Sequence, residues 1–474
     1  MSAPDAFDLA VIGGGPAGAS AAIEAGRAGL RVVLLDEGRS AGGQVYRAPV
    51  SGTGASSGQP DGAVGDRLRA DLAASTVDCR FDHRIWLVER GFRVHGLGPD
   101  GPATVEAPRL VIAVGAQERH RPVPGWTLPG VIGLAGATNL IKSQKILPGR
   151  RVVVAGSGPL LLLVAASILK AGGELAAVID ANGRMDWLRH APQLMARPDL
   201  VGRGAKWLAA ILRAGVPLLS RHALRRIVGD DHVEGVVAGP VTGDWDPSAS
   251  GEFQIACDAV CFGYGLAPAT ETTRLLGVKH EYVPDMGGWR AVTLPDGSTS
   301  VAGLYVCGDG AGVLGAAAAA LQGRVTGLAA ARDSGHANAA DAVERLLPQA
   351  ARAGRFGMAM TGLALPRDGL LSAMTPETII CRCEGLRRAD IDSAIAAGSQ
   401  TLNGLKSATR CGMGPCGGRV CEDTAAALIA QHTGLSREAI GQSTSRPPLR
   451  PVPLGQLAGA FNYLDLPMPE PAPQ

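Results

Sequence analysis

The stretch Asp8–Glu37, DLAVIGGGPAGASAAIEAGRAGLRVVLLDE, decides the fold. Leu9 to Ile12 is a short apolar run and reads as a buried strand. Gly13, Gly15 and Gly18 follow with G-x-G-x-x-G spacing, with Pro16 and Ala17 in the turn between them. A helix rich in small residues comes next, through Ala21, Ala22 and Ala25, and a second apolar strand, Val32 to Leu35, ends in Asp36 and Glu37. Each part suits the holding of a dinucleotide. Gly13 allows the tight turn, Gly15 lets a pyrophosphate approach the backbone, and Gly18 lets helix and strand pack closely. The helix N-terminus offers unpaired N–H groups and a positive dipole end to phosphates. An acidic residue about 20 positions further on can bind ribose hydroxyls; strand counting favours Asp36, with Glu37 next to it. A G-x-G-x-x-G alone also fits a bland glycine turn, but strand, helix, strand and acid together point to nucleotide binding.

Further motifs extend this unit. In Gly42-Gly43-Gln44-Val45-Tyr46-Arg47 the glycines would let backbone approach a ligand lying along the first strand, with Gly43, Gln44 and Arg47 as contacts. Leu110 to Ala116, LVIAVGA, is an apolar strand that brings Ala113 and Gly115 to the same place and marks where the chain leaves the first domain. Gly303 to Gly312, GLYVCGDGAG, delivers Gly308 and Asp309 to the start of an alanine-rich helix, Ala316 to Ala331. A carboxylate there can bind a ribityl hydroxyl, and the helix N-terminus can stabilise negative charge on an isoalloxazine edge. The bland reading of Asp309 is a capping turn residue.

A second unit of the same type starts at Arg151, with a strand Val152 to Ala155, the turn Gly156-Ser157-Gly158, a helix Leu160 to Ala171 and a strand Leu175 to Ile179 ending in Asp180. Its third motif position is Leu161, too bulky for the usual close packing of helix on strand. It is expected to be a Rossmann-type unit with NAD(P) binding in doubt, the alternative being a structural domain without a ligand.

The chain has 474 residues, enough for two or three domains. Hydrophobic residues make up 46% and charged residues 19%, as in a globular protein, and a net charge of +2 gives no basis for a nucleic-acid surface. The longest apolar run, Leu160 to Leu169, is too short to span a bilayer. Asp5 and Asp8 stand where a signal peptide would carry basic residues, so a cytoplasmic location is expected, peripheral to the inner membrane where partners bring it there. The fold class is α/β: two Rossmann-like units and a small helical C-terminal module. The expected division is 1–115 with 281–345 for the first unit, 116–280 for the second, 346–375 as linker, 376–445 as the module and 446–474 as a proline-rich tail docking on the chain itself or a partner. Ser51 to Ala63, Gly/Ser-rich, is expected to be a flexible surface loop.

Five of nine cysteines fall between residues 381 and 421. In a protein expected in the cytoplasm, such clustering suggests a metal centre more than disulfides. Cys381 and Cys383 open the module, Cys416 and Cys421 close it, and 32 residues separate Cys383 from Cys416. Four thiolates in two close pairs suit a 2Fe-2S cluster or tetrahedral zinc. C-x-C is tighter than the usual zinc knuckle spacing and favours iron–sulfur. The alternatives are zinc and no metal. Cys411 is a fifth candidate that could replace Cys421. Cys79, Cys257, Cys261 and Cys307 lie in or beside apolar strands and read as buried small hydrophobes.

With these motifs in place, residues 8–345 resemble a two-dinucleotide-domain flavoprotein of the glutathione/thioredoxin reductase superfamily, through GGGPAG at 13–18, LVIAVGA at 110–116 and GLYVCGD at 303–309. PGWTLPGV at 124–131 resembles the α (A) subunits of heteromeric dye-linked amino-acid dehydrogenases acting on opines, hydroxyproline or proline, with sarcosine oxidase α and hydrogen cyanide synthase subunits as relatives. CRCE at 381–384 and CGMGPCGGRVC at 411–421 resemble their bacterioferritin-associated-ferredoxin-like 2Fe-2S domain, and the tail RPPLRPVPLGQLAG at 446–459 also matches. The resemblance implies FAD, a 2Fe-2S cluster whose 32-residue gap fits Cys416 and Cys421 as the second pair, and a catalytic β subunit with its own FAD. In some members a small γ subunit joins, an FMN lies between subunits, or ATP replaces FAD in the first site. No C-x-x-C or C-x4-C precedes residue 381, which argues against disulfide reduction.

The sequence thus predicts an electron-transfer α subunit of a complex that oxidises an amino acid or opine and passes electrons to an acceptor other than oxygen, with no catalytic residue assigned on this chain. The competing readings are a self-contained NAD(P)H-dependent reductase and a scaffold subunit with a structural nucleotide.

Overall fold

The structure is a computed structural model that describes residues 5–50 and 61–457. Most of the Ser51–Ala63 insert and the end of the proline-rich tail lie outside the described residues.

The first unit is a five-stranded parallel sheet. Its order is Leu304–Val306, Leu110–Ile112, Leu9–Ile12, Val32–Leu35 and Asp78–Arg80. The four short apolar runs are buried on both faces, as parallel strands between helical layers require. The first helix, Pro16–Arg27, packs its alanines against the helix Ala316–Arg332. Contact is close because Gly323 and Gly327 lie against the backbone of Ala17 and Ala21: a Cβ on either would come within 2.0 to 2.2 Å of those carbonyl oxygens. Leu276 and Val278 join the core on the sheet's other side, so the chain has re-entered the first unit before residue 281.

The second unit repeats the plan with a five-stranded parallel sheet, Val131–Gly133, Ala259–Tyr264, Arg151–Ser157, Glu174–Asp180 and Leu218–Ser220. Its helix Pro159–Lys170 buries Leu161 fully in its own core. A three-stranded antiparallel sheet, His222–Val228, Gly235–Pro240 and Phe253–Ala256, covers the other side.

Most of the stretch expected to be a linker is helix: Ala339–Ala364 runs for 26 residues. Its glycines serve close packing, since a Cβ on Gly357 would meet the Leu314 carbonyl oxygen at 2.1 Å. The C-terminal module then gathers Ile380, Ile391, Ile395, Leu402, Leu405 and the helix Glu422–Thr433 into a small core. No described helix is long and apolar enough to cross a membrane.

Candidate functional site

The C-terminal ends of the first sheet open into a cavity of about 1240 Å³. Gly13, Gly15, Pro16, Ala17, Asp36, Glu37, Gly43, Gln44, Arg47, Ala113, Gly115, Gly308 and Asp309, all expected as contacts, line it. Gly18 does not. It is the packing glycine, where a Cβ would sit 1.8 Å from the Gly13 carbonyl oxygen. Gly15 differs, because a Cβ there would meet nothing of the protein nearer than the Gly43 Cα at 3.8 Å. The protein's own packing does not demand glycine at 15, whereas a phosphate lying against the backbone would. The helix starting at Pro16 has no side-chain cap and no acidic residue in its first turn, so its N–H groups face the cavity without a competing anion. These features fit a dinucleotide.

The two acids at the end of the second strand divide their roles. Asp36 turns back and accepts the backbone N–H groups of Gly14 and Gly38. Burial raises its pKa against those two bonds. It braces the glycine turn, while Glu37, its side chain 62% exposed, lines the cavity beside it. Spacing alone could not separate neighbours one residue apart.

At the far end, Asp309 accepts the N–H groups of Leu314 (3.1 Å) and Gly315 (3.0 Å) through Oδ1, which orients its carboxylate on the cavity wall. Burial pushes its pKa up. Asp309→Ala should lower flavin occupancy without unfolding the protein, read as flavin absorbance near 450 nm per chain beside the thermal transition. Glu118, which the sequence reading missed, also lines the cavity. It accepts the Ala135 N–H at 3.1 Å, and burial pushes its pKa up to about 7. Its glycine neighbours were the available signal: a Cβ on Gly133 or Gly263 would strike the Glu118 carboxylate at 2.1 and 2.5 Å.

The corresponding seat in the second unit is filled by the chain itself. Ser157 Oγ donates to the Ala364 carbonyl at 2.7 Å, and Asn182 Nδ2 donates to the Leu363 carbonyl at 2.9 Å. A Cβ on Gly158 would lie 2.6 Å from the Ala364 Cβ, and one on Gly265 2.9 Å from it. Asp180, at the ribose-acid position, is buried, bonded to Asn182 and raised to about 6 by burial. The carbonyl end of the long helix thus occupies the place where a pyrophosphate would meet the glycine turn. The sequence signal, Leu161, carried no hint of this contact, because residues 363 and 364 are distant in the chain.

The five module cysteines converge. The Sγ atoms of Cys381, Cys411 and Cys421 lie within 4.8 Å of one another, all three buried. Cys383 stands beside Cys416, and both are half-buried. Thiol donation from Cys411 and Cys421 holds Cys381 far below the usual thiol range, while proximity to Cys381 pushes Cys411 up to about 12 and Cys421 upward as well. A metal centre would let several thiolates share this volume. Cys411, the fifth candidate beside Cys421, is buried and belongs to this sulfur group.

Beside these cysteines the module is locked to residues 119–126, just past the point where the chain leaves the first unit. Asp423 pairs with Arg121 at 2.6 Å and Arg119 at 3.1 Å, and Thr424 Oγ1 donates to the His120 carbonyl. Trp126 Nε1 donates to the Ile379 carbonyl at 2.7 Å, two residues before Cys381. Residues 116–118 line the nucleotide cavity and residues 119–121 meet the module, so one short segment joins the two sites.

Residues 7–333 match the pyridine nucleotide-disulphide oxidoreductase family, and residues 376–460 match the sarcosine oxidase A3 domain. An opine oxidase subunit from Rhizobium meliloti is 34% identical over 468 residues, covering 95% of this chain and 87% of that one. Hydrogen cyanide synthase subunit HcnB from Pseudomonas aeruginosa is 32% identical, covering 94% and 96%. Among solved structures, L-proline dehydrogenase from P. horikoshii superposes with a TM-score of 0.70 at 21% identity, over 96% of this chain and 81% of that one.

Proposed function

The chain belongs to the pyridine nucleotide-disulphide oxidoreductase family, and we propose that it is the flavin and 2Fe-2S electron-transfer α subunit of a heteromeric dehydrogenase that oxidises an amino acid or related secondary amine (a D-amino acid, hydroxyproline, proline or an opine) and passes electrons to an acceptor other than oxygen. The family implies a flavin, and the cysteine cluster is compatible with an iron–sulfur centre. The sequence relatives are subunits of opine oxidase and hydrogen cyanide synthase, which supports a multi-subunit assembly.

The observation that carries the choice among the readings is the filled seat at Gly158. Ala364 against that turn, its carbonyl bonded to Ser157 and the Leu363 carbonyl bonded to Asn182, argues against a nicotinamide dinucleotide laying its pyrophosphate there. Electrons then enter from a partner subunit that oxidises the substrate, not from NAD(P)H. A bound flavin supplies a store that takes two electrons and releases them one at a time to a cluster. The chain's residues do the positioning: the Gly13–Gly18 turn holds phosphates, Glu37 a ribose, and Asp309 the ribityl end. The segment 116–121 keeps the cavity and the cysteines in fixed relation. Cys381, Cys383 and Cys416, with Cys411 or Cys421 as fourth, would hold the cluster.

Stopped-flow mixing of the isolated chain with NADH or NADPH should leave flavin absorbance unchanged over seconds. Substrate should bleach it only when the partner subunit is present. Fast reduction by NADH would reject this reading and promote a self-contained reductase. Substrate turnover by the partner with no reduction of this chain would make it a scaffold.

A further inference from the structure

The nucleotide cavity has an outer wall that its own domain does not supply. Three of its lining residues, Arg419, Leu449 and Arg450, come from the C-terminal module and the segment after it. Arg419 sits in the loop between Cys416 and Cys421. Its guanidinium pairs with Glu271 at 2.6 Å and donates to the Cys416 carbonyl at 3.0 Å and the Leu449 carbonyl at 3.2 Å. The Leu449 N–H in turn donates to the Trp86 carbonyl of the first unit at 2.8 Å. Arg450 then lies over Glu37, the acid on the ribose side of the cavity, at 3.8 Å. That distance is loose for an ion pair. Arg450 also donates to the neighbouring Leu449 carbonyl.

We propose that the nucleotide site is composite: Arg450 is a ligand-contacting residue for the adenosine-diphosphate part of the bound nucleotide, and Arg419 ties it to the cysteine loop. Nucleotide binding and docking of the cysteine module are then linked. This rests on the nucleotide reading of the Gly13–Gly18 cradle. The chemistry is that of a guanidinium set opposite a phosphate cradle. The cradle's N–H groups approach the pyrophosphate from the sheet side, and Arg450 adds a positive charge from the open side, next to Glu37 on the ribose. Linkage makes the effect mutual: whatever the docked segment adds to nucleotide affinity, the nucleotide adds to docking.

The test uses the full chain, with FAD and ADP as probes. Arg450→Ala should weaken FAD binding about tenfold, the loss of one charge-assisted contact, and Arg450→Lys should recover part of it. ADP should slow amide hydrogen exchange at Leu449 and through residues 416–421 in the wild type, and the slowing should shrink in Arg450→Ala. Arg419→Ala should uncouple the two regions, keeping ADP protection at the Gly13–Gly18 turn and losing it in the cysteine loop. If that variant misfolds, Arg450→Ala still decides. FAD affinity in Arg450→Ala within about threefold of wild type, or exchange in 416–421 and at 449 indifferent to ADP, overturns the inference. Failure of the wild type to bind either FAD or ADP overturns the nucleotide reading beneath it instead.

Discussion

Serine at Cys381, Cys383 or Cys416 should abolish the paramagnetic signal of the reduced 2Fe-2S centre and bring iron and sulfide to background. Each loss removes an iron–thiolate bond that a serine hydroxyl replaces poorly. The geometry sharpens the expectation at the remaining two positions. Cys383 and Cys416 stand together, which suits two ligands of one iron, and Cys381 lies within 4.8 Å of both Cys411 and Cys421. In a 2Fe-2S centre one of these two would complete the second iron and the other would be left as a thiol donor near a coordinated sulfur. The ligand variant should lose the cluster. The donor variant should keep its iron but shift the cluster potential, since hydrogen bonds to thiolate sulfur tune it. Iron, sulfide and redox titration on the five single variants decide the assignment. Full clusters in both Cys411→Ser and Cys421→Ser would sink the four-thiolate centre, as would stoichiometric zinc without sulfide.

Much of this was legible in the chain. The strands Leu9–Ile12 and Val32–Leu35 stand at the expected positions, because buried parallel strands are short apolar runs and the glycine turn fixes where the helix begins. Local signals reached that far. Three features escaped them for one physical reason, that each depends on contacts between residues distant in sequence. Ala364 at the Gly158 turn lies 206 positions away along the numbering and carries no motif of its own. Glu118 gains its raised pKa from burial against Gly133 and Gly263. Arg450 reaches Glu37 from the far end of the chain, in a proline-rich segment whose composition says only that it cannot build a core. Cys411 is the instructive case. Spacing made it an alternative to Cys421 without choosing between them, and the fold sets both sulfurs beside Cys381, an arrangement that sequence does not encode locally.

Asp423→Ala should destabilise the docked module by about 3 kcal/mol, the scale for removing one partner of a buried pair. The Arg119 and Arg121 side chains are each 3% exposed and meet at the Asp423 carboxylate, whose own side chain is 29% exposed. The penalty therefore arises on the arginines: two guanidinium ions lose their counter-charge where water cannot replace it, and Asp423's partial exposure keeps the figure near the lower end of that scale. The exposed pair Arg151–Glu174 provides the contrast, with side chains 49% and 58% exposed; Glu174→Ala should change stability by less than about 0.5 kcal/mol. Burial works against the ionised Asp423, but Arg119, Arg121 and Arg437 outweigh it and hold its pKa well below the usual carboxylate range. A carboxylate depressed in the folded state contributes stability that is fully present above its unfolded pKa of about 3.9 and is lost as pH falls through the folded value. Wild-type unfolding should therefore show an acid limb below pH ~4 that Asp423→Asn flattens. Asp423 is two residues from Cys421 on the same helix start, so its loss should also loosen the cysteine loop and lower iron retention. Adding Arg121→Met to Asp423→Ala should recover part of the stability, because an apolar side chain of similar length removes one stranded charge. Should the double variant be no more stable than Asp423→Ala alone, the burden would lie in lost packing on the helix Glu422–Thr433 and not in unpaired charge.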